Sequence, residues 1–291
     1  MKIIIICGGN SSEKEISVKS GMSIFSSIKK EFESEIVLLG NDYTIIKDKY
    51  KDGDLILNAL HGGYGENGEI QDFFERKKIR FIGSGSEACK IAINKNYCKS
   101  IALEVGLSAP FGKVYNGDIS IFDEFSFPFI IKPNKEGSSI GFNIIKNKKE
   151  IYKVLRKNIK HELIVEEFVK GREITVSVLS NEVFPIVEIV PNSGIYDYDS
   201  KYVKGKTEYI VPAEIDFEVE QEIKAKTLNL YKKINCKHYA RVDYILDEDN
   251  TPVFLEINTS PGMTETSLFP KSAKSAKLSF DQLIKKIISL N

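Results

Sequence analysis

Two short alternating runs near the C-terminal end constrain the fold more tightly than any other stretch. One is Arg241-Val242-Asp243, the other Glu256-Ile257-Asn258-Thr259-Ser260-Pro261-Gly262, and the polar turn Asp247-Glu248-Asp249-Asn250 lies between them. This is the pattern of a β-hairpin. Side chains two apart on a strand share a face, so Arg241 pairs off with Asp243, and Glu256 with Asn258. If pairing brings those faces together, two carboxylates and an amide carbonyl converge beside one guanidinium. Such oxygen donors suit a hard divalent cation held on phosphates, and arginine suits an anion. Taken alone, the same pattern also describes a solvated hairpin face.

The chain has 291 residues, 42% of them hydrophobic and 28% charged, which predicts a globular protein of two or three domains with a sizeable core. Lys plus Arg and Asp plus Glu number 41 each, a balance that argues against general affinity for nucleic acid or an anionic membrane. No apolar run reaches the length of a membrane span. The apolar start breaks at Gly8-Gly9-Asn10 and reads as a buried first strand rather than a leader. Cys7, Cys89, Cys98 and Cys236, like His61, His161 and His238, lack metal-ligand spacing, and no disulfide framework is evident. A reducing cytoplasm is the simplest home.

Strand and helix alternate over the first part: strand 2–7, helix 12–30 with Ser12 and Glu15 in capping-box spacing, strands 35–39 and 54–59, helix 70–76 and a short strand 80–82. From about residue 84 the pattern changes. Helices 86–93 and 95–105 precede strands 129–132 and 142–145, helix 149–158 and strand 163–168. Strands 173–180 and 183–190 follow, then a long polar segment 191–212, a helix 218–234, the hairpin, and a helix from residue 279. These divide into units 1–84, 85–170 and 171–291. The segment 191–212 is too long for an ordinary connection and reads as a lid.

Lys132 ends a strand ahead of the loop Asn134-Lys135-Glu136-Gly137-Ser138-Ser139-Ile140-Gly141. Backbone N–H groups and hydroxyls in such a loop can face phosphate oxygens, with the lysine as a point charge. It is not a Walker A loop. A rival signal is Gly83-Ser84-Gly85-Ser86-Glu87-Ala88, which matches a dinucleotide fingerprint with Glu104 downstream but closes a unit instead of opening one.

The ordered set of motifs resembles the ATP-grasp ligases, and more narrowly the D-alanine–D-alanine ligase family. It comprises Gly8-Gly9 with Glu13 and Ser17, His61-Gly62 with Glu66, Lys132-Pro133 with the Gly-Ser loop, Tyr196 to Tyr202, Arg241 with Asp243, and Glu256 through Met263 with Ser267-Leu268. The resemblance runs nearly end to end. It implies a three-domain ATP-grasp fold, α/β and α+β, with an N-terminal Rossmann-like open sheet. It further implies ligation of two D-alanines through an acyl phosphate, for peptidoglycan precursors, by a homodimer using ATP and two Mg2+ ions, or Mn2+ in their place.

Carried over position by position, Lys95, Lys132 and Ser138 would serve the nucleotide phosphates. Glu166, Glu167, Phe168 and Val169 would meet adenine, and Glu173 the ribose. Glu167 is expected to contribute backbone. Asp243, Glu256 and Asn258 would hold metal. Glu13 would bind the ammonium of the first amino acid, with His61 and Glu66 shaping its pocket, while Ser267 and Leu268 would receive the second carboxylate at helix-terminal N–H groups. Arg241 and Gly262 would steady the tetrahedral oxyanion. Lys201 and Tyr202, the latter linked through Ser138 to Glu13, would mark members that use an amine nucleophile. The alternatives are another ATP-grasp carboxylate–amine or D-alanine–D-lactate ligase, a dinucleotide-dependent oxidoreductase, and a non-catalytic ATP-binding module.

Overall fold

The computed structural model describes residues 1–158, 160–196, 200–201, 203 and 205–291. Its first unit comprises β1 (Ile3–Gly8), α1 (Lys14–Ile28), β2 (Ser34–Leu39), α2 (Ile46–Lys49), β3 (Leu55–Asn58), α3 (Glu69–Lys77) and β4 (Phe81–Ile82). The four strands form a parallel sheet in the order β2-β1-β3-β4. Four consecutive isoleucines explain why β1 lies in the middle. Ile3 and Ile5 join one apolar core with Ile24 and Ile28 of α1, whereas Ile4 and Ile6 join another with Ile70 and Phe74 of α3. A strand buried on both faces needs apolar side chains at every position.

Helices α4 (Ser86–Ile93) and α5 (Lys95–Glu104) follow. A second, antiparallel sheet in the order β5-β8-β6-β7 is built from β5 (Gly112–Val114), β6 (Phe129–Pro133), β7 (Asn143–Ile145) and β8 (Leu163–Glu167), with α6 (Lys148–Lys157) between the last two. The remaining elements are β9 (Gly171–Leu179), β10 (Glu182–Val183), β11 (Val187–Pro191), β12 (Thr207–Ile210), α7 (Phe217–Lys233), β13 (Tyr239–Asp247), β14 (Pro252–Asn258), α8 (Leu268–Ser275) and α9 (Phe280–Ser289). Their strands make the third sheet, β12-β11-β9-β13-β14, with β10 on β9. One face of it is apolar: Ile174, Val176, Val178, Val242 and Tyr244 pack on Ala88, Cys98, Ile101, Ile223 and Leu230. Helices α4 and α5 thus share the core of the third sheet, although they precede the second in the chain. Helix α9 returns to the first unit, where Leu283, Ile284 and Ile287 join Ile3 and Ile5.

Local departures from the sequence reading have physical causes. Helix α1 begins at Lys14, and Glu13 occupies the cap position without a side-chain capping bond. The Ser12–Glu15 capping box does not form, because the helix starts one residue too late for that spacing, with Glu13 in the cap position; the Glu13 carboxylate accepts from Ser138 on another unit. The single strand expected over 183–190 is two, β10 and β11, interrupted at Phe184-Pro185-Ile186, where proline cannot donate to a ladder. Helix α8 was not delimited by periodicity; its Pro270 sits in the first turn, where a missing N–H costs nothing. The far end of the 191–212 segment is strand β12, paired with β11. By contrast, Ser279 and Gln282 do form a reciprocal capping box at α9.

Candidate active site

The polar face of the third sheet is the floor of the site. Strands β13 and β14 pair with Arg241 opposite Asn258 and Asp243 opposite Glu256, while β9 places Thr175 opposite Asp243 and Ser177 opposite Arg241. Arg241 donates to both Asp243 oxygens, at 2.8 and 2.7 Å, and the Thr175 hydroxyl donates to the same carboxylate. The Glu256 carboxylate lies 3.2 Å from Lys95 Nζ. Burial opposes its ionisation, but Lys95, Lys201, Lys132 and Arg241 outweigh that and hold it down at about 2. It is therefore charged at neutral pH. Asn258 Oδ1 accepts from the Ser260 N–H at 2.8 Å. Among the described residues no cluster of three or more His, Cys, Asp or Glu is arranged to hold a metal ion. Two carboxylates in register plus an amide oxygen nevertheless form the hard-donor set that Mg2+ requires.

Above this floor a cavity of about 450 Å3 lies between the second and third sheets. Lys95, Lys132, Glu166, Glu167, Phe168, Val169, Glu173, Asp243 and Glu256, nine of the residues singled out from the sequence, line it. Lys132 Nζ is 2.8 Å from Glu166 Oε2. The Glu167 carboxylate accepts from the Phe111 N–H at 2.9 Å, and the Glu167 N–H donates back to the Phe111 carbonyl at 3.0 Å. Glu173 is pushed up to about 8, mainly by burial, with Asp243 and Glu256 adding repulsion and Lys201 opposing.

A second cavity, of about 270 Å3, adjoins the first. Glu13, His61, Glu66, Ser138, Lys201, Arg241, Gly262, Ser267 and Leu268 line it, together with Asn258. Glu13 accepts a short hydrogen bond from Ser138, the left-handed residue at φ +50° that carries the Gly-Ser loop over the first unit. His61 is fixed from both sides: Nδ1 donates to the Ser260 carbonyl, so Nε2 accepts from the Ser20 hydroxyl, each at 3.0 Å. Glu66 lies 3.7 Å from His61 Nδ1, and burial, reinforced by Glu13, raises its carboxyl above the ordinary value against the pull of His61. Ser267 occupies the cap position of α8 without a side-chain capping bond, and its hydroxyl accepts from the Thr264 N–H at 3.1 Å beside Gly262. Lys95, Glu136, Tyr196, Lys201 and Glu256 belong to both cavities, so the two meet along a shared wall. Ser139 donates to the Tyr196 carbonyl at 3.2 Å, which ties the phosphate-type loop to the start of the 191–212 segment.

Tyr202 lies outside the described residues. The dinucleotide fingerprint over 83–88 has no room for an anion: Glu75 accepts from both the Ser86 N–H (3.0 Å) and its hydroxyl, and a Cβ at Gly85 would meet that carboxylate at 2.7 Å. Glu75 already satisfies the helix N-terminus that a pyrophosphate would need. The sequence reading also missed Lys99, bound to Glu166 at 2.6 Å, and Thr175 under Asp243. Lys99 follows Lys95 by one helical turn, a spacing that puts both on one face and was the available signal. Thr175 becomes visible only once β9 is paired with β13.

The family model described as D-ala D-ala ligase C-terminus matches residues 115–289. The D-alanine–D-alanine ligase of Carboxydothermus hydrogenoformans is 39% identical over 306 residues, covering 100% of this chain and 98% of that protein. The D-alanine–D-alanine ligase B of Clostridium perfringens is 37% identical, covering 100% and 99%. Among solved structures, the D-alanine–D-alanine ligase of Bacillus anthracis complexed with ATP is 32% identical with a TM-score of 0.86, over 100% of this chain and 97% of that one. The VanG D-Ala:D-Ser ligase of Enterococcus faecalis is 27% identical with a TM-score of 0.81, over 99% and 98%. By sequence and by fold, over its whole length, the chain belongs to the D-alanine–D-alanine ligase family.

Proposed function

We propose that this protein joins two D-alanine molecules into D-alanyl-D-alanine at the expense of ATP, supplying peptidoglycan precursor synthesis. The observation that carries the reading is the meeting of the two cavities: a nucleotide-sized one lined by lysines opens onto a smaller one that holds groups for an ammonium and two carboxylates. A carboxylate is a poor acyl donor, so it must first take the ATP γ-phosphoryl group, a transfer governed by alignment and charge neutralisation. Lys95, Lys132 and Arg241 bring positive charge to that junction. Asp243, Glu256 and Asn258 would hold Mg2+ (or Mn2+), which neutralises charge on the nucleotide phosphates when bound.

Glu13 takes the ammonium of the first D-alanine, with His61 and Glu66 behind it, and orients its carboxylate toward the shared wall. Ser267 and the α8 N-terminus at Leu268 take the carboxylate of the second. Its amine attacks the acyl carbon, Arg241 and the Gly262 N–H steady the oxyanion, and inorganic phosphate leaves. Lys201 and Tyr196 line both cavities at the junction, and a lid there would keep water from the acyl phosphate. The units 1–84, 85–170 and 171–291 each contain one sheet, which supports a three-part organisation, with α4 and α5 packed into the third. Four free, buried cysteines support a cytoplasmic home, and no helix among the described residues is long and apolar enough to cross a membrane. A homodimer is the expected assembly.

Phosphate release from Mg-ATP, measured with D-alanine, L-alanine and D-lactate in parallel, tests the reading. Release with D-alanine and a dipeptide mass are expected. Silence with D-alanine from folded protein that still binds ATP would refute the substrate assignment.

A further inference from the structure

Lys99 has no place in the chemistry so far, and its surroundings are unusual for a lysine. It is 6% exposed, on α5 one turn beyond Lys95, and it does not line the nucleotide cavity. Its ammonium lies 2.6 Å from Glu166 Oε1, while Lys132 lies 2.8 Å from Glu166 Oε2. Glu166, 2% exposed, is thus one carboxylate shared by two lysines, Lys132 facing the cavity and Lys99 behind it. The fold makes room for this. Gly112 pairs directly with Glu166 across β5 and β8, and a Cβ there would come within 2.9 Å of both Lys99 Nζ and Glu166 Cγ. Burial works against ionised Glu166, but the two lysines together hold its carboxyl below the ordinary value. Burial likewise lowers Lys99, and Glu166 opposes that.

Charge counting gives the arrangement a purpose. One carboxylate and two ammonium groups leave one positive charge in excess. If Lys132 were the only partner, turning it toward a phosphate would strand a buried carboxylate, which is strongly unfavourable. With Lys99 in place, Glu166 stays paired while Lys132 turns. We propose that Lys99 is a positioning residue that neutralises Glu166 from behind the cavity wall, so that Lys132 keeps its charge for the nucleotide phosphates. This inference rests on the nucleotide reading above.

The test compares the binding of ATP with magnesium and of adenosine, by titration calorimetry on the intact chain. Lys99→Met should weaken ATP by about tenfold or more while adenosine changes far less, because the lost charge acts on phosphates through Lys132. In a Glu166→Gln background the same substitution should cost ATP binding less than about twofold, since no carboxylate remains to capture Lys132. Equal losses for ATP and adenosine, or an equal cost in both backgrounds, would overturn the inference and make Lys99 a packing residue. Should Lys99→Met fail to fold by circular dichroism, Glu166→Gln alone decides: the preference for ATP over adenosine should not fall, and a fall overturns the proposal. If wild-type protein binds neither ligand, the nucleotide reading itself fails. Normal wild-type binding with an unmoved ratio in Lys99→Met defeats only the role of Lys99.

Discussion

Glu256 sits at the point where every part of the proposed chemistry meets, between Lys95 and the hairpin partner Asp243. Its replacement by alanine is expected to lower ATP turnover by roughly a thousandfold, a loss typical of removing a central electrostatic group, with an unchanged circular dichroism spectrum. Glu173 makes a different, pH-dependent contribution. Its folded-state carboxyl is held at about 8 against an ordinary 4.5, so the folded chain retains a proton that the unfolded chain releases. The stabilisation from this group is complete below about 4.5 and is lost as pH rises toward about 8. Glu173→Gln should therefore flatten the fall in melting temperature across that window, and an unchanged pH slope would contradict the assignment. The four hairpin residues were legible in the sequence because a period of two is a local property. Thr175 and Lys99 were not, since each meets its partner only through a strand pairing or a helix packing that no local pattern encodes.

At the scale of elements, loops position the substrate groups, and the helix caps bear on stability. Gly62 has φ +65°, and a Cβ there would approach Glu13 Oε2 to 2.9 Å. Gly62→Ala is therefore expected to push the Glu13 carboxylate off its position and raise the KM for D-alanine about tenfold, leaving the KM for ATP nearly unchanged. A parallel rise in both would mean general disorder of the loop. The capping box at Ser279 allows the opposite control. Ser279→Ala should cost about 1 kcal/mol in denaturant unfolding with the kinetics of ligation intact. The contrast between the two candidate capping boxes is instructive. Ser279 and Gln282 bond each other reciprocally at the start of α9, whereas α1 starts with Glu13 in the cap position and no side-chain capping bond. Local propensity located both helices, but placed the start of α1 ahead of Lys14, where it begins.

Across the whole molecule, three sheets are brought together so that one active site draws on all of them. Residues from the first unit (Glu13, His61 and Glu66), the second (Lys132 and Ser138) and the third (Arg241, Asp243 and Glu256) line the two adjoining cavities. Long-range hydrogen bonds hold this assembly: His61 to the Ser260 carbonyl, and the Ser260 hydroxyl to the Leu60 carbonyl. The parallel first sheet and the hairpin face were readable from hydrophobic patterning. The packing of α4 and α5 against the third sheet was not, because an apolar helix face does not specify which sheet will cover it. The central claim is that the cavities meet so that phosphate is transferred to a D-alanine carboxylate before the peptide bond forms. D-alanine carrying heavy oxygen in its carboxylate, incubated with protein and Mg-ATP, tests this directly by mass spectrometry of the products. One labelled oxygen in each released phosphate, matched by one dipeptide, is the expected result; unlabelled phosphate accompanying dipeptide would contradict the acyl-phosphate route.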